Sequence, residues 1–391
     1  VETAFLVQGI LTASVYYDND NETERQVREL CEEFWNEVEW DWYQRPGRKD
    51  LTWHWSPNYG WDMGMSILGY NEAMIVYLLA MASPTHSIEK ESYYEGWASP
   101  SYYSNGNSYY GKKIWVGPAY GGPLFFTHYS FLALDPHLVQ DKYCNYYENS
   151  RNISLIHHDY CIDNPKNQVG YDSLVWGLTA SDNPWGYAAQ EPYNRDNGTI
   201  TPSAAISSIA YTPEHSIPTL KHFYYQLGSQ LWGEFGFKDA FNLGENWFAD
   251  SYIAIDQGPI IIMMENYRTR LLWDLFMKRT EIKTMLDKVG LFPTSYNEKE
   301  TEKHGEQRCS VYPNPCEGEA RILLRCDGEG YANIDLYSIL GRRVKRLVDR
   351  YPLQHGKNEI DLTLNSLTTG LYFLKIEIKE TCYVKKIVRV K

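Results

Sequence analysis

The hydrophobic rhythm of the chain changes once. Over residues 1–285 apolar positions recur at helical spacing in separate runs, which predict helices at 1–17, 23–38, 69–82, 138–158, 203–210, 217–229 and 256–277. Between them lie long segments such as "WVGPAYGGPLFFTHYS" (115–130) and "TASDNPWGYAAQEPYNRDNGTI" (179–200), rich in Gly, Pro, Asn and aromatic residues. Ordered loops of that length usually carry function, so they are read as the walls of a site. Near the C-terminus the period falls to two. "ARILLRC", "ANIDLYSIL", "NEIDLTL", "GLYFLKIEI" and "YVKKIVRVK" alternate between turn residues, the pattern of an antiparallel β-sandwich. The stretch before them, "TSYNEKETEKHGEQR" (294–308), is polar and aperiodic, as a linker would be. The expected organisation is a mainly α domain over 1–290, a linker over 291–308 and a small all-β, Ig-like sandwich over 309–391. Because "VETAFLVQGILTASVYY" reads as helical from Val1, with neither Met nor leader before it, the first domain is expected to begin further upstream.

One residue breaks the pattern. In "MSILGYNEAMIVYLLAMA" (65–82) Glu72 stands inside a run that otherwise reads as a buried helix. Burial disfavours a charged carboxylate and raises its pKa, the usual device for keeping a general acid protonated near neutral pH. The plainer alternative is a glutamate satisfied by a buried arginine or by loop amides.

Composition sharpens this. The chain has 391 residues, 43% of them hydrophobic, enough for one large core or two ordinary ones. Aromatic residues make up 15%, with 13 Trp and 33 Tyr, in a chain of mean hydropathy −0.49. Rings with a polar tip suit the half-apolar surface of a sugar, although a helical domain that packs with tyrosine would use them too. A net charge of −13 argues against a nucleic-acid partner. No run reaches the length of a transmembrane helix, because Asn71 and Glu72 interrupt the longest one. The seven cysteines show no CxxC or Cys/His zinc spacing, and the four after residue 308 could include a disulfide. GxSxG, HExxH, Walker and Rossmann patterns are absent, so neither cofactor nor metal is expected, and the sequons at Asn21, Asn152 and Asn197 carry no weight.

Two resemblances then enter. "VYPNP" (311–315), "IDLYSILGRRV" (334–344), "HGKNEIDL" (355–362), "LTTGLYFLKI" (367–376) and "KKIVRVK" (385–391) resemble the C-terminal sorting domain of the type IX secretion system. That implies secretion, or display on the outer-membrane surface, by a Gram-negative Bacteroidetes-type bacterium, with the secretion machinery as a partner. "VETAFLVQGIL" (1–11), "LGYNEAMIVYLLAMASPTH" (68–86), "GPLFFTHYSFLALD" (122–135), "WGLTASDNPWGY" (176–187), "DNGTITPSAA" (196–205), "LWGEFGFKDAFN" (231–242) and "IDQGPIIIMMENYR" (255–268) together resemble the glycoamylase-like family. That family includes the endo-β-1,2-glucanases of glycoside hydrolase family 144, and related domains occur in cyclic β-1,2-glucan synthases. The resemblance implies an (α/α)6 barrel, here lacking its first helices, and inverting hydrolysis of β-glucan, with β-1,2-glucan the leading substrate.

The same resemblance points to Glu72 as the acid and matches Glu2 to an acidic position near the scissile bond, as base, water-orienting group or subsite ligand. The family's further acid, three residues before Glu2, falls outside this sequence. His128 and Tyr129 in "FTHYS" suit sugar hydroxyls, though a lone histidine is often structural. Asp182 and Trp185 pair a carboxylate with a stacking ring, unless Asp182 caps the turn at Asn183 and Pro184. Glu265 and Arg268 are substrate-contact candidates, but three apart on one helical face they read first as a structural ion pair. Glu214, Asp239 and Asp256 are acids without an assigned role. The alternatives are a non-catalytic glycan-binding protein, which would lose the carboxylate pair, and a phosphorylase or transglycosylase, the former needing a basic pocket. Linkage, chain length and endo or exo action depend on how the loops close the cleft.

Overall fold

Helix α1 (Glu2–Tyr16) turns Ala4, Val7, Gln8, Leu11 and Thr12 inward, the i, i+3, i+4 stripe of a core-facing helix. It opens a computed structural model that describes residues 1–291, 309–326, 328–338, 342–378 and 381–390. The chain divides into two compact units, Val1–Thr294 and Ser295–Lys391. The expected linker, 291–308, lies outside the described residues apart from Leu291.

The first unit is helix-rich. Helix α2 (Glu22–Glu37) starts where the Asn21 side chain accepts from the Glu24 N–H at 2.9 Å, a side-chain cap that satisfies one of the free donors of the first turn. Helix α3 (Met74–Ala82) is buried on every face, so it forms the centre of the core rather than a wall. The sequence pattern places this start five residues early. Gly69 at φ +82 and an Asn71 side chain that accepts from the Ala73 N–H at 2.9 Å hold residues 69–73 in a turn. Helix α4 (Tyr146–Asp163) likewise begins later than expected, because Asn145 caps it and Gln140 bridges to Asn145 across a tight turn.

Helices α5 (Pro202–Ser207), α6 (Pro213–Tyr225) and α7 (Gly228–Leu231) follow. The run 256–277 is two helices, α8 (Ala254–Thr269) and α9 (Leu271–Phe276), broken at Arg270 in the left-handed region at φ +62. Arg270 there reaches the buried Asp135, and that ion pair holds the kink. Helix α10 (Thr280–Val289) was not among the expected helices, although Ile282, Met285 and Leu286 at helical spacing and Gly290 past its end carry the signal. Arg279, just before it, donates from Nη2 to Glu32 Oε2 of α2 at 2.9 Å.

Much of the tyrosine content is structural. Tyr70, Tyr77, Tyr93, Tyr103, Tyr146, Tyr160, Tyr171 and Tyr211 are buried. Tyr93 and Tyr146 donate to Asp141 Oδ2 at 3.1 and 2.9 Å, and Tyr160 and Tyr171 each donate to Asp196 at 2.8 Å. A buried carboxylate must be hydrogen-bonded, and phenols supply the bond while adding ring area to the core.

Among the described residues the second unit has two antiparallel sheets. One orders Cys309–Tyr312, Glu319–Cys326 and Gly356–Thr363, and the other orders Arg343–Leu353, Gly330–Ser338, Gly370–Ile378 and Thr381–Arg389. Their inward positions, among them Ile322, Leu324, Ile334, Leu336, Ile360, Leu374 and Ile376, share one core. The strand Arg343–Leu353 went unread because it is an edge strand with mostly exposed, largely charged positions, so it shows no apolar alternation. Cys309 and Cys316 are buried free thiols, so the structure forms no disulfide through either of them.

Candidate active site

Glu72 projects from the turn before α3, not from inside a helix. Its carbonyl accepts from Ser130 Oγ at 2.6 Å, and the same oxygen of Ser130 accepts the Ile75 N–H at 3.1 Å. Ser130 therefore caps the start of α3 from another segment and fixes the turn that carries Glu72. Residues 129–133 are themselves pinned to α1. The Gln8 side chain donates to the Tyr129 carbonyl at 3.1 Å and accepts the Ala133 N–H at 2.8 Å, while the rings of Phe5 and Tyr129 stack at 5.0 Å. Burial, helped by the negative charge of Glu2, pushes the Glu72 carboxyl up to about 7.

A second set of acids gathers around Asp182. The Asp182 N–H donates to Asp239 Oδ2 at 2.7 Å, and Ser251 Oγ donates to Asp182 Oδ2 at 2.5 Å. The Tyr129 hydroxyl donates to the Ile255 carbonyl at 2.6 Å and lies 3.4 Å from Asp256 Oδ1. Asp239 and Asp256 are buried and both are raised, first by burial. The two carboxyls act on each other, and the charge of Asp239 raises Asp256 further. Tyr187, opposite Asp182 in the hairpin of Ala180–Asn183 with Gly186–Ala189, is raised by burial and then by Asp256, Asp239, Asp182 and Glu72. Tyr129 feels both Asp256 and Glu72. The two phenols thus link Glu72 and the aspartates electrostatically.

This repulsion has a measurable consequence. Asp256→Asn removes a buried acid that repels Asp239 and keeps an oxygen toward Tyr129, so its Tm should stay within about 2 °C of the wild type. Asp256→Ala also removes the oxygen beside the Tyr129 hydroxyl and leaves a gap, and should cost about 1–3 kcal/mol in urea unfolding. Equal losses in the two variants would show that the oxygen beside Tyr129 contributes nothing.

The other expected residues separate. Glu2 is exposed and lies 3.7 Å from the Val1 amine, in the wall of a cavity of about 660 Å³ that Trp40, Trp42, Trp53 and Trp55 also line. Its charge still acts on Glu72. His128 is fully buried, with Nε2 3.1 Å from Ser208 Oγ, and burial lowers it to about 3, so it is a neutral interior group. Trp185 stands at the hairpin turn, 65% exposed. Glu265 and Arg268 pair with each other at 2.8 Å on α8, and Glu265 also accepts from Thr269 at 2.7 Å. Theirs is the ion-pair alternative. Arg268→Ala is accordingly expected to change stability by less than about 1 kcal/mol and kcat/KM by less than about twofold. A larger kinetic loss would return the pair to the site.

Sequence reading left Asp239 and Asp256 unassigned and did not single out Tyr187. Asp256 carried the same signal as Glu72, an acid at the head of an apolar run. Asp239 carried none, because its place depends on an N–H that is 57 residues away in sequence. Among the described residues no group of three or more His, Cys, Asp or Glu is arranged to hold a metal ion, and no helix is long and apolar enough to cross a membrane.

Comparison with known proteins adds to this geometry. The model of the glycoamylase family, described as "putative glucoamylase", matches residues 64–280, and that of the secretion system C-terminal sorting domain matches residues 310–391. An exo β-1,2-glucooligosaccharide sophorohydrolase (non-reducing end) of Parabacteroides distasonis is 46% identical over 310 residues, which are 74% of this chain and 43% of that protein. The chain therefore spans less than half the length of this relative. The crystal structure of a β-1,2-glucanase from the same organism superposes with a TM-score of 0.72 at 46% identity, over 74% of this chain and 44% of that one. An endo-β-1,2-glucanase from Chitinophaga pinensis, in complex with sophorotriose and glucose, gives 0.73 at 46% identity, over 76% of this chain and 72% of that one.

Proposed function

The chain belongs to the glycoamylase family, and from that premise we propose that it is a secreted glycoside hydrolase that cleaves β-1,2-glucan with inversion. The observation that carries the proposal is a carboxyl held protonated to about neutrality, Glu72, on a turn fixed by Ser130, with Glu2 acting on it. Inverting hydrolysis needs one carboxylic acid to protonate the leaving oxygen and a second carboxylate to activate water. Glu72 is the acid. Glu2, whose carboxylate acts on Glu72 and lines the neighbouring cavity, is the second carboxylate of this scheme, as base or as the group that orients the water. Tyr129 and Asp182 belong to the polar wall that receives sugar hydroxyls, and Trp185 supplies a stacking face.

The proposal extends to the chain as a whole. The helix-rich unit over 1–290 supplies part of an (α/α)6 barrel, without the first helices of that fold, joined by a linker over 291–308 to a sorting domain over 309–391. The sorting domain directs the protein through type IX secretion in a Bacteroidetes-type bacterium, to the medium or the outer-membrane surface. The groups gathered around Asp182, namely Asp239, Asp256, Ser251, Tyr129 and Tyr187, include no lysine or arginine, so the basic pocket a phosphorylase needs is not among them and that reading is disfavoured.

The test is to incubate the protein with linear β-1,2-glucan and follow the products by NMR. Release of α-anomeric glucooligosaccharides supports the inverting hydrolase, and a product ladder as against sophorose alone separates endo from exo action. β-Anomeric products would overturn inversion. Binding without cleavage of this or other β-glucans would leave a glycan-binding protein.

A further inference from the structure

Two hairpins that meet at the carboxyl cluster are built alike. In the first, Asn183 pairs with Gly186 around a two-residue turn of Pro184 and Trp185. In the second, Gly233 pairs with Gly236 around a two-residue turn of Glu234 and Phe235. Each turn carries an aromatic ring at its second position, followed by a glycine at positive φ, +135 for Gly186 and +101 for Gly236. Such a tight reversal demands the glycine but not the ring, since turn positions favour small polar residues. Both rings stand in solvent, Trp185 at 65% and Phe235 at 71% exposure.

The bases of the hairpins are tied together. The Asp182 N–H reaches Asp239, two residues past the end of the second hairpin, and Ser251 reaches Asp182. Tyr252, the next residue, sets its ring edge-on to Phe235 at 5.4 Å, and its hydroxyl covers Gly233 so closely that a Cβ there would lie 1.9 Å from it. Phe235 is thus held out on a braced hairpin. One exposed ring is ordinary; two on matched turns, rooted in the same carboxyl knot, are a surface waiting for an apolar face that also carries hydroxyls.

We propose that Phe235 is a substrate-binding residue which, with Trp185, stacks on glucose units of the glucan chain beyond the bond being cleaved, so that the pair favours long chains over short ones. The occupant is a β-linked glucan because both hairpins are rooted at Asp182 and Asp239, in the acid cluster. The inference rests on the glucanase reading above.

Phe235→Leu and Phe235→Trp separate stacking from packing. Leucine keeps an apolar contact for Tyr252 but has no ring face, while tryptophan restores one. With long linear β-1,2-glucan, Phe235→Leu is expected to raise KM about 3- to 10-fold with kcat within about twofold, and Phe235→Trp to restore KM. With a β-1,2-linked trisaccharide, too short to reach the platform, the KM change should stay below about twofold. An unchanged KM on the long glucan, equal KM changes on both substrates, or a leucine variant as good as wild type would each overturn the proposal. If the wild-type protein leaves β-1,2-glucan intact, the glucanase reading fails first, and affinity electrophoresis through gels of β-1,2-, β-1,3- and β-1,4-glucan then decides about the platform. Retardation that Phe235→Leu weakens and Phe235→Trp keeps supports it; retardation that ignores the ring, or none on any glucan, overturns it.

Discussion

Glu72→Gln is expected to lower kcat on β-1,2-glucan by about 10²–10⁴-fold while leaving glucan binding intact, the usual loss when a general acid is removed. Glutamine has the shape of a protonated glutamate but cannot give up a proton to the departing sugar oxygen. The contrast that isolates this role is the leaving group. A dinitrophenyl glucoside or sophoroside expels an anion that needs no proton, so the deficit on it should shrink to about tenfold or less. An equal deficit on both substrates would make Glu72 a positioning residue. The pH profile adds a second readout. The acid must hold its proton to work, and burial raises its carboxyl to about 7, so wild-type activity should fall as pH rises through neutrality. In Glu72→Gln that alkaline limb should be gone.

The same substitution is expected to stabilise the protein by about 3 kcal/mol at pH 8, and by almost nothing at pH 4. The carboxyl holds its proton more tightly in the folded protein, up to about 7, than at its ordinary value of 4.5. Below 4.5 both states are protonated and the group contributes no difference. Between 4.5 and 7 the unfolded chain gives up its proton first, so stability falls as pH rises. Above 7 the folded protein carries a buried charge at its full cost, and glutamine, neutral at every pH, removes that cost. Urea midpoints of the two proteins at pH 4 and pH 8 measure the difference. A gap that is the same at both pH values, or a mutant weaker at pH 8, would show that Glu72 is satisfied as an anion. Higher stability with lost activity would identify the turn at 70–73 as a place where function is held at the expense of stability.

Hydrophobic periodicity fixed what depends on neighbours in sequence. It located α1 and α2 within a residue or so, separated the helical part from the part of period two, and marked Glu72 as an acid in apolar surroundings. It failed where backbone groups bond to partners from elsewhere. α3 starts at Met74 because Ser130, 58 residues from Glu72, takes over the hydrogen bonds of its first turn. α8 ends at Thr269 because Arg270 turns left-handed to meet Asp135. The tyrosines show the limit of composition. Their number pointed to sugar faces, yet many are buried around Asp141 and Asp196, and the rings left exposed beside the acids are few and placed by hairpin turns.

The sequence by itself determined the succession of helices and strands and one candidate acid, because spacing and burial are properties of a local run. The tertiary structure alone decided which acids act together. Asp182, Asp239 and Asp256 act on one another only because three segments distant in sequence converge there, and a carboxyl's proton affinity is set by what folding brings around it.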